Sequence, residues 1–211
     1  MANPQNSAAL PRNTDAGQQT NSMTMIAPIA AWLLPGLGHL IQRRNARIDQ
    51  RRHLLLDIWA KAKEPENSVY YDITWTGSVG TPSDKQREVF DIVRGARDVG
   101  IHTVKQAFDA KRKICGWEVD KAVREFIDAK GWGKYFIHRT GHSITNDIHG
   151  NGANLDNLET KDDREILPNT CFSVEPGIYL PEFGVRSEVN MMVRGGKGEV
   201  TGRIQTELVQ I

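Results

Sequence analysis

Four carboxylates stand inside otherwise apolar runs of strand length. They are Asp57 in Leu54-Leu55-Leu56-Asp57-Ile58-Trp59, Asp72 in Tyr70-Tyr71-Asp72-Ile73-Thr74-Trp75, Glu175 in Phe172-Ser173-Val174-Glu175-Pro176-Gly177, and Glu188 in Val185-Arg186-Ser187-Glu188-Val189. Burying an unpaired carboxylate is costly, so each must face solvent, pair with a cation such as an arginine, or bind a metal. Any one alone reads as a solvent-facing or paired acid. Four of them beside a histidine cluster shift the reading toward a metal site. That cluster is His138-Arg139-Thr140-Gly141-His142-Ser143-Ile144-Thr145-Asn146-Asp147-Ile148-His149. An imidazole is neutral near pH 7 and suits both metal coordination and proton transfer. No glutamate follows a histidine there, so the HExxH helix of single-zinc proteases does not fit. Hard divalent cations prefer oxygen ligands, and manganese, cobalt and zinc accept an imidazole among them. A carboxylate-rich set with one histidine therefore suits two ions bridged by water.

The order of elements follows from pattern. Leu54 to Trp59 and Val69 to Thr76 read as strands, and the polar stretch Lys61 to Ser68, with Pro65 and Asn67, as the hairpin turn between them. Asp57 and Asp72 lie fifteen positions apart, an odd separation. Across such a hairpin both side chains can face the same side of the sheet. Ser83 with Gln86 makes a capping box, so a helix is expected from there to about Lys111, followed by a second over Trp117 to Lys130 with Gly131 as its left-handed cap. Cys171 to Leu180, Val185 to Val193 and, more weakly, Ile204 to Ile211 read as later strands. Strands, helices, strands is the order of an α+β fold, with an antiparallel sheet flanked by helices.

Residues 1–24 are polar and nearly free of large apolar side chains, so they read as a disordered leader, with one domain over 25–211. Met25 to Leu40 is apolar but is broken by Pro28 and Pro35 and is too short to span a bilayer. The 27 Lys and Arg against 26 Asp and Glu give no broad charge that would draw nucleic acid or an anionic membrane. Cys115 and Cys171 lack CxxC spacing, and a reducing, cytoplasmic setting is the simplest expectation. Trp59, Trp75, Trp117 and Trp132 read as packing residues, and Arg43, Arg44, Arg51 and Arg52 as solvated charge.

The segments Val69–Gly80, His138–His149 and Phe172–Val189 together resemble the three metal-binding blocks of the pita-bread metallopeptidases, the family of methionine aminopeptidase, aminopeptidase P and prolidase. The Val174-Glu175-Pro176-Gly177-Ile178-Tyr179 and Gly184-Val185-Arg186-Ser187-Glu188 wording is closest to the Xaa-Pro branch, aminopeptidase P and prolidase. The resemblance implies a pita-bread fold from about His39 to Ile211 and a dinuclear peptidase that cleaves Xaa-Pro bonds with a metal-bridged water. By position it implies that Asp57 chelates one ion, Asp72 and Glu188 bridge both, and His142 and Glu175 complete the shell. Glu175 would take the proton of the water, His138 and His149 would hold substrate and move protons, and His39 and Arg186 would flank the substrate. Two divalent ions are implied, manganese first, with zinc or cobalt as alternatives. A peptide with proline in second position is the implied substrate, and a homodimer the implied assembly.

Three features depart from the family pattern: a longer turn between Asp57 and Asp72, Thr145 where a glycine is common, and Gly150 where an acid usually follows the histidine. The family also places further helix and strand before His39, so the N-terminal part is expected to be truncated here. A non-catalytic module of the same fold and a different C–N hydrolase, creatinase-like, are the competing expectations.

Overall fold

The computed structural model describes residues 42–43, 47–48 and 53–211. The leader, the apolar run before Leu40 and His39 lie outside those residues. Strands β1 (Gln42–Arg43) and β2 (Arg47–Ile48) each pair antiparallel with β3 (His53–Ala60), which forms the expected hairpin with β4 (Tyr71–Ser78). The register sets Asp57 opposite Thr74 and Trp59 opposite Asp72. Because strand side chains alternate, these four share one face, while Leu54, Leu56, Ile58 and Ile73 are buried on the other.

Helix α1 (Asp84–Asp109) starts at the predicted box: the Ser83 hydroxyl accepts from the Gln86 amide at 3.2 Å, and the Gln86 side chain accepts from the Ser83 amide at 2.8 Å. Helix α2 (Gly116–Ala129) ends in the predicted left-handed glycine, Gly131, at φ 81°. Trp132 N–H reaches the Ile127 carbonyl at 3.2 Å and Gly131 N–H the Asp128 carbonyl at 2.8 Å. This pair of bonds satisfies carbonyls that a helix end otherwise leaves orphaned.

The C-terminal half departs from expectation in an instructive way. Each of the two long strands predicted there is broken in two. After β5 (Ser143–Ile144) come β6 (Cys171–Val174), β7 (Gly177–Tyr179), β8 (Gly184–Arg186) and β9 (Val189–Arg194). Val174 pairs with Val189 and Gly177 with Arg186, so the register is the same on both sides of the break. The break therefore falls on Glu175-Pro176 opposite Ser187-Glu188. Proline has no N–H to give a ladder, and two carboxylates set opposite one another repel.

Strand β10 (Lys197–Thr201) was not anticipated. It folds back on β9 through Gly195 and Gly196, both at positive φ (56° and 75°), as a two-residue hairpin loop requires. The last expected strand is reduced to β11 (Val209–Gln210), which lies parallel to β4 and so departs from the all-antiparallel expectation. Upstream of it the chain is tied by a side chain instead of a ladder. The buried Gln205 amide accepts from Thr76 N–H at 3.0 Å and donates to the Thr76 carbonyl at 2.6 Å.

The described strands form three sheets: β1-β3-β4-β11 with β2 also on β3, β10-β9-β6-β5, and the pair β7-β8. The helices cover the last two. Val104 and Val119 pack on Phe172, Val174, Val189 and Met191, while Val89, Val93, Val123 and Ile127 pack on Ile178 and Val185. Each such fully buried side chain contributes roughly 1.5–3 kcal/mol. What this core fixes is the site side of the β6–β9 hairpin.

Candidate metal centre

Asp57, Asp72, His138, His142, His149, Glu175, Arg186 and Glu188 line one cavity of about 530 Å³. These are all the sequence-predicted site residues except His39. Asp72, His142 and Glu188 each offer a ligand atom, and the three atoms lie within 4.8 Å of one another. His142 Nε2 is 3.4 Å from both Asp72 Oδ2 and Glu175 Oε1. Asp57 stands apart from that group. Its carboxylate forms an ion pair with Arg186, whose guanidinium also lies 3.8 Å from Glu175 Oε2.

Each candidate ligand is held by backbone on a different element. Asp72 sits in β4, where its backbone N–H and carbonyl are both bound by the buried Asn190 side chain of β9, at 2.9 and 2.8 Å. His142 precedes β5. Its amide donates to Ser173 Oγ at 2.9 Å, and that hydroxyl donates in turn to Glu175 Oε1 at 2.9 Å. Such closeness needs Gly141, because a Cβ there would come within 2.0 Å of the Ser173 carbonyl oxygen. Glu188 lies in the break of the hairpin, and its amide donates to the Thr74 carbonyl at 3.0 Å.

The loop carrying the histidines is anchored from below by a buried ion pair. Asp120, on α2, accepts from the Thr140 amide and hydroxyl, from the Asn157 amide and from Arg124 Nε. Arg124 also donates to the Phe136 and His138 carbonyls. A charge pair buried this way keeps its place because both Asp120 oxygens and all three Arg124 nitrogens are engaged.

Electrostatics mark the set as built for cations. Glu188 is fully buried, and burial first, then Glu175 and Asp72, push its carboxyl well above the usual range. Its Oε2 accepts from Thr74 Oγ1 at 2.7 Å, while Oε1 has no hydrogen-bond partner among the described residues. An orphaned, buried carboxylate oxygen facing two further acids and an imidazole is what a bound divalent cation would satisfy, so these residues fit such an ion. For His142 burial acts to lower the pKa, but Asp72 and Glu175 outweigh it and raise it. His149 stacks edge-on at 4.4 Å from His142, and burial together with His142 and Arg139 holds its pKa down.

His138 has a definite tautomer. Its Nδ1 lies 2.7 Å from the Arg139 carbonyl, which can only accept, so Nδ1 carries the proton and Nε2 accepts from Tyr179 Oη at 2.8 Å. Burial lowers the His138 pKa and raises that of Tyr179 to about 12.

Several site residues were not singled out from sequence. Thr74, fully buried, contacts Asp57 Oδ1 at 3.2 Å and Glu188 Oε2 at 2.7 Å and accepts from Arg186 Nε at 2.9 Å. A hydroxyl has one proton, and the shorter contact gives it to Glu188. Strand parity with Asp72 was the signal that could have found it. Trp59, read as packing, instead lines the cavity and stands edge-on to Tyr70 at 5.8 Å. Arg139, Ile148 and Glu159 complete the wall.

With this geometry in hand, comparison with known proteins is direct. The model of metallopeptidase family M24 matches residues 27–195. An Xaa-Pro dipeptidase of Pyrococcus furiosus is 32% identical over 166 residues, 78% of this chain and 44% of the relative. One from Lactobacillus helveticus is 39% identical over 118 residues, 56% of this chain and 29% of the relative. Among solved structures, the Xaa-Pro dipeptidase from Bacillus anthracis superposes with a TM-score of 0.65 at 35% identity, covering 75% of this chain and 41% of that one. The chain thus spans less than half the length of these relatives, and its fold is the pita-bread fold. By sequence and by fold, this chain belongs to metallopeptidase family M24.

Proposed function

We propose that residues 25–211 form a metallopeptidase domain that hydrolyses Xaa-Pro peptide bonds, with two divalent cations held by Asp57, Asp72, His142, Glu175 and Glu188, manganese first and zinc or cobalt as alternatives. The observation that carries this reading is the convergence of Asp72, His142 and Glu188 around an unpartnered, buried carboxylate oxygen. Cations bound there would make a shared water more acidic and polarise the scissile carbonyl.

The chain's own residues supply the rest. Glu175 is the base that takes the proton from the attacking water; its carboxylate is oriented by Ser173 Oγ and lies 3.4 Å from His142. Arg186 pairs with Asp57 and holds its carboxylate at the cavity wall. His149, neutral near pH 7, holds the substrate and relays to the leaving imide nitrogen the proton that Glu175 took from the water. His138, with its proton fixed on Nδ1, lines the same cavity and is held in place by Tyr179 Oη. Trp59 and Ile148 offer apolar surface for a prolyl ring. Replacing Glu175 with alanine is expected to abolish Xaa-Pro hydrolysis while leaving the fold intact; full activity in that variant would remove Glu175 from its role.

One observation favours a second reading. Asp57 is tied to Arg186 and stands outside the compact three-residue group, as in a module that binds a cation without turnover. Metal uptake without hydrolysis of Xaa-Pro dipeptides, longer Xaa-Pro peptides or creatine would support it, whereas turnover of creatine alone would indicate the creatinase-like chemistry. Among the described residues no helix is long and apolar enough to cross a membrane. Both cysteines are free thiols, on which ground we place the protein in the cytoplasm; the family resemblance supports a homodimer, and the near balance of charge gives no reason to expect a nucleic-acid partner.

A further inference from the structure

Arg97 is 1% exposed, the largest of the fully buried side chains, and lies on the apolar face of α1 beside Val93, Ala96, Gly100 and Val104. Its carboxylate partner, Asp98, has a side chain 55% exposed, so the charge is compensated from the solvent edge. Nη1 points the other way, donating to Ser187 Oγ and to the Gln205 carbonyl, both at 2.7 Å. Packing does not explain this, since an apolar side chain of similar volume would fill the space without desolvating a guanidinium.

Ser187 lies between Arg186 and Glu188, at the point where the hairpin has lost its ladder. Across the break the Ser187 amide reaches the Pro176 carbonyl only at 3.4 Å. The segment must therefore be held from outside. Thr74 takes the Glu188 amide, and Thr76 Oγ1 donates to the Arg186 carbonyl at 2.7 Å while accepting from its amide at 3.3 Å. Those bonds fix Arg186 and Glu188 against β4 and leave Ser187 on the opposite side. Arg97 grips that side. Through the Gln205 carbonyl it also holds the segment whose side-chain amide brackets Thr76.

We propose that Arg97 is a positioning residue for the metal centre: from the buried face of α1 it fixes the Arg186-Ser187-Glu188 step, and with it the aim of the Glu188 carboxylate, through Ser187 Oγ. This rests on the reading of Glu188 as a ligand. Outer groups that orient a ligand typically set metal affinity by 10–100-fold. Arg97→Met keeps the bulk and removes the directional bonds, Arg97→Lys keeps the charge but cannot make both, and Ser187→Ala removes only the receiving hydroxyl.

The test has two readouts on the full chain. Manganese titration by calorimetry is expected to show affinity weakened about tenfold or more in Arg97→Met and Ser187→Ala, with Arg97→Lys between them and wild type. Hydrogen exchange on the metal-free protein is expected to show the Glu188 amide exchanging about tenfold faster in both variants, with β9 and β10 protection unchanged. Wild-type manganese affinity and wild-type Glu188 protection in Ser187→Ala would overturn the proposal, and that variant decides the matter should Arg97→Met fail to fold. If the wild-type chain takes up neither manganese, zinc nor cobalt, the metallopeptidase reading falls, while the exchange rate at Glu188 still decides the role of Arg97.

Discussion

At the scale of single residues, the centre depends on side chains whose task is to aim others. Thr74 touches Asp57, Glu188 and Arg186 through one oxygen. Thr74→Val keeps the shape and removes that oxygen, so metal affinity and kcat/KM are expected to fall about 10–100-fold with little change in Tm. Equal affinity in calorimetric titration would show that Glu188 needs no such partner. The carboxylates were legible in the sequence because charge inside an apolar strand has few explanations, and the odd separation of Asp57 and Asp72 placed them correctly on one face. Thr74, Ser173 and Tyr179 were not, because a hydroxyl inside a strand is unremarkable until its neighbours in space are known. Trp59 was misread for the opposite reason: an indole beside leucines looks like core, and only the register with Asp72 turns it into the cavity.

At the scale of elements, the helices were the most readable parts, since both carry their own punctuation: the Ser83–Gln86 box and the Gly131 cap. The strands of the second half were readable as apolar runs but not as interrupted ones. The interruption arises from Pro176, a local sign, together with Glu175 facing Glu188 across the hairpin, a relation that no local pattern displays. The Gly195-Gly196 pair did announce β10 and was overlooked. Two substitutions test how elements deliver the ligands. Asp120→Ala leaves Arg124 buried without its carboxylate and strips Thr140 and Asn157 of an acceptor, so a loss of about 3–5 kcal/mol is expected in denaturant unfolding. A loss under about 1 kcal/mol, the range of an exposed pair, would mean that the histidine loop does not depend on α2. Gly141→Ala drives a Cβ against the Ser173 carbonyl and is expected to cost at least about 1–3 kcal/mol and to separate His142 from Glu175. Unchanged Tm and unchanged metal uptake would show that the two segments can move apart freely.

At the scale of the whole molecule, the three sheets and two α-helices of the described residues bring six segments of chain around one cavity, and the near balance of charge means that the field within it is set locally. Family membership and fold are shared with Xaa-Pro dipeptidases of whose length the chain covers less than half. Whether the described residues suffice for a working site turns on whether they hold metal. The most direct test is elemental analysis of the purified chain after manganese or zinc loading, beside His142→Ala. The account predicts close to two ions per wild-type chain and clear loss in the variant; a wild-type chain that retains no metal would contradict it.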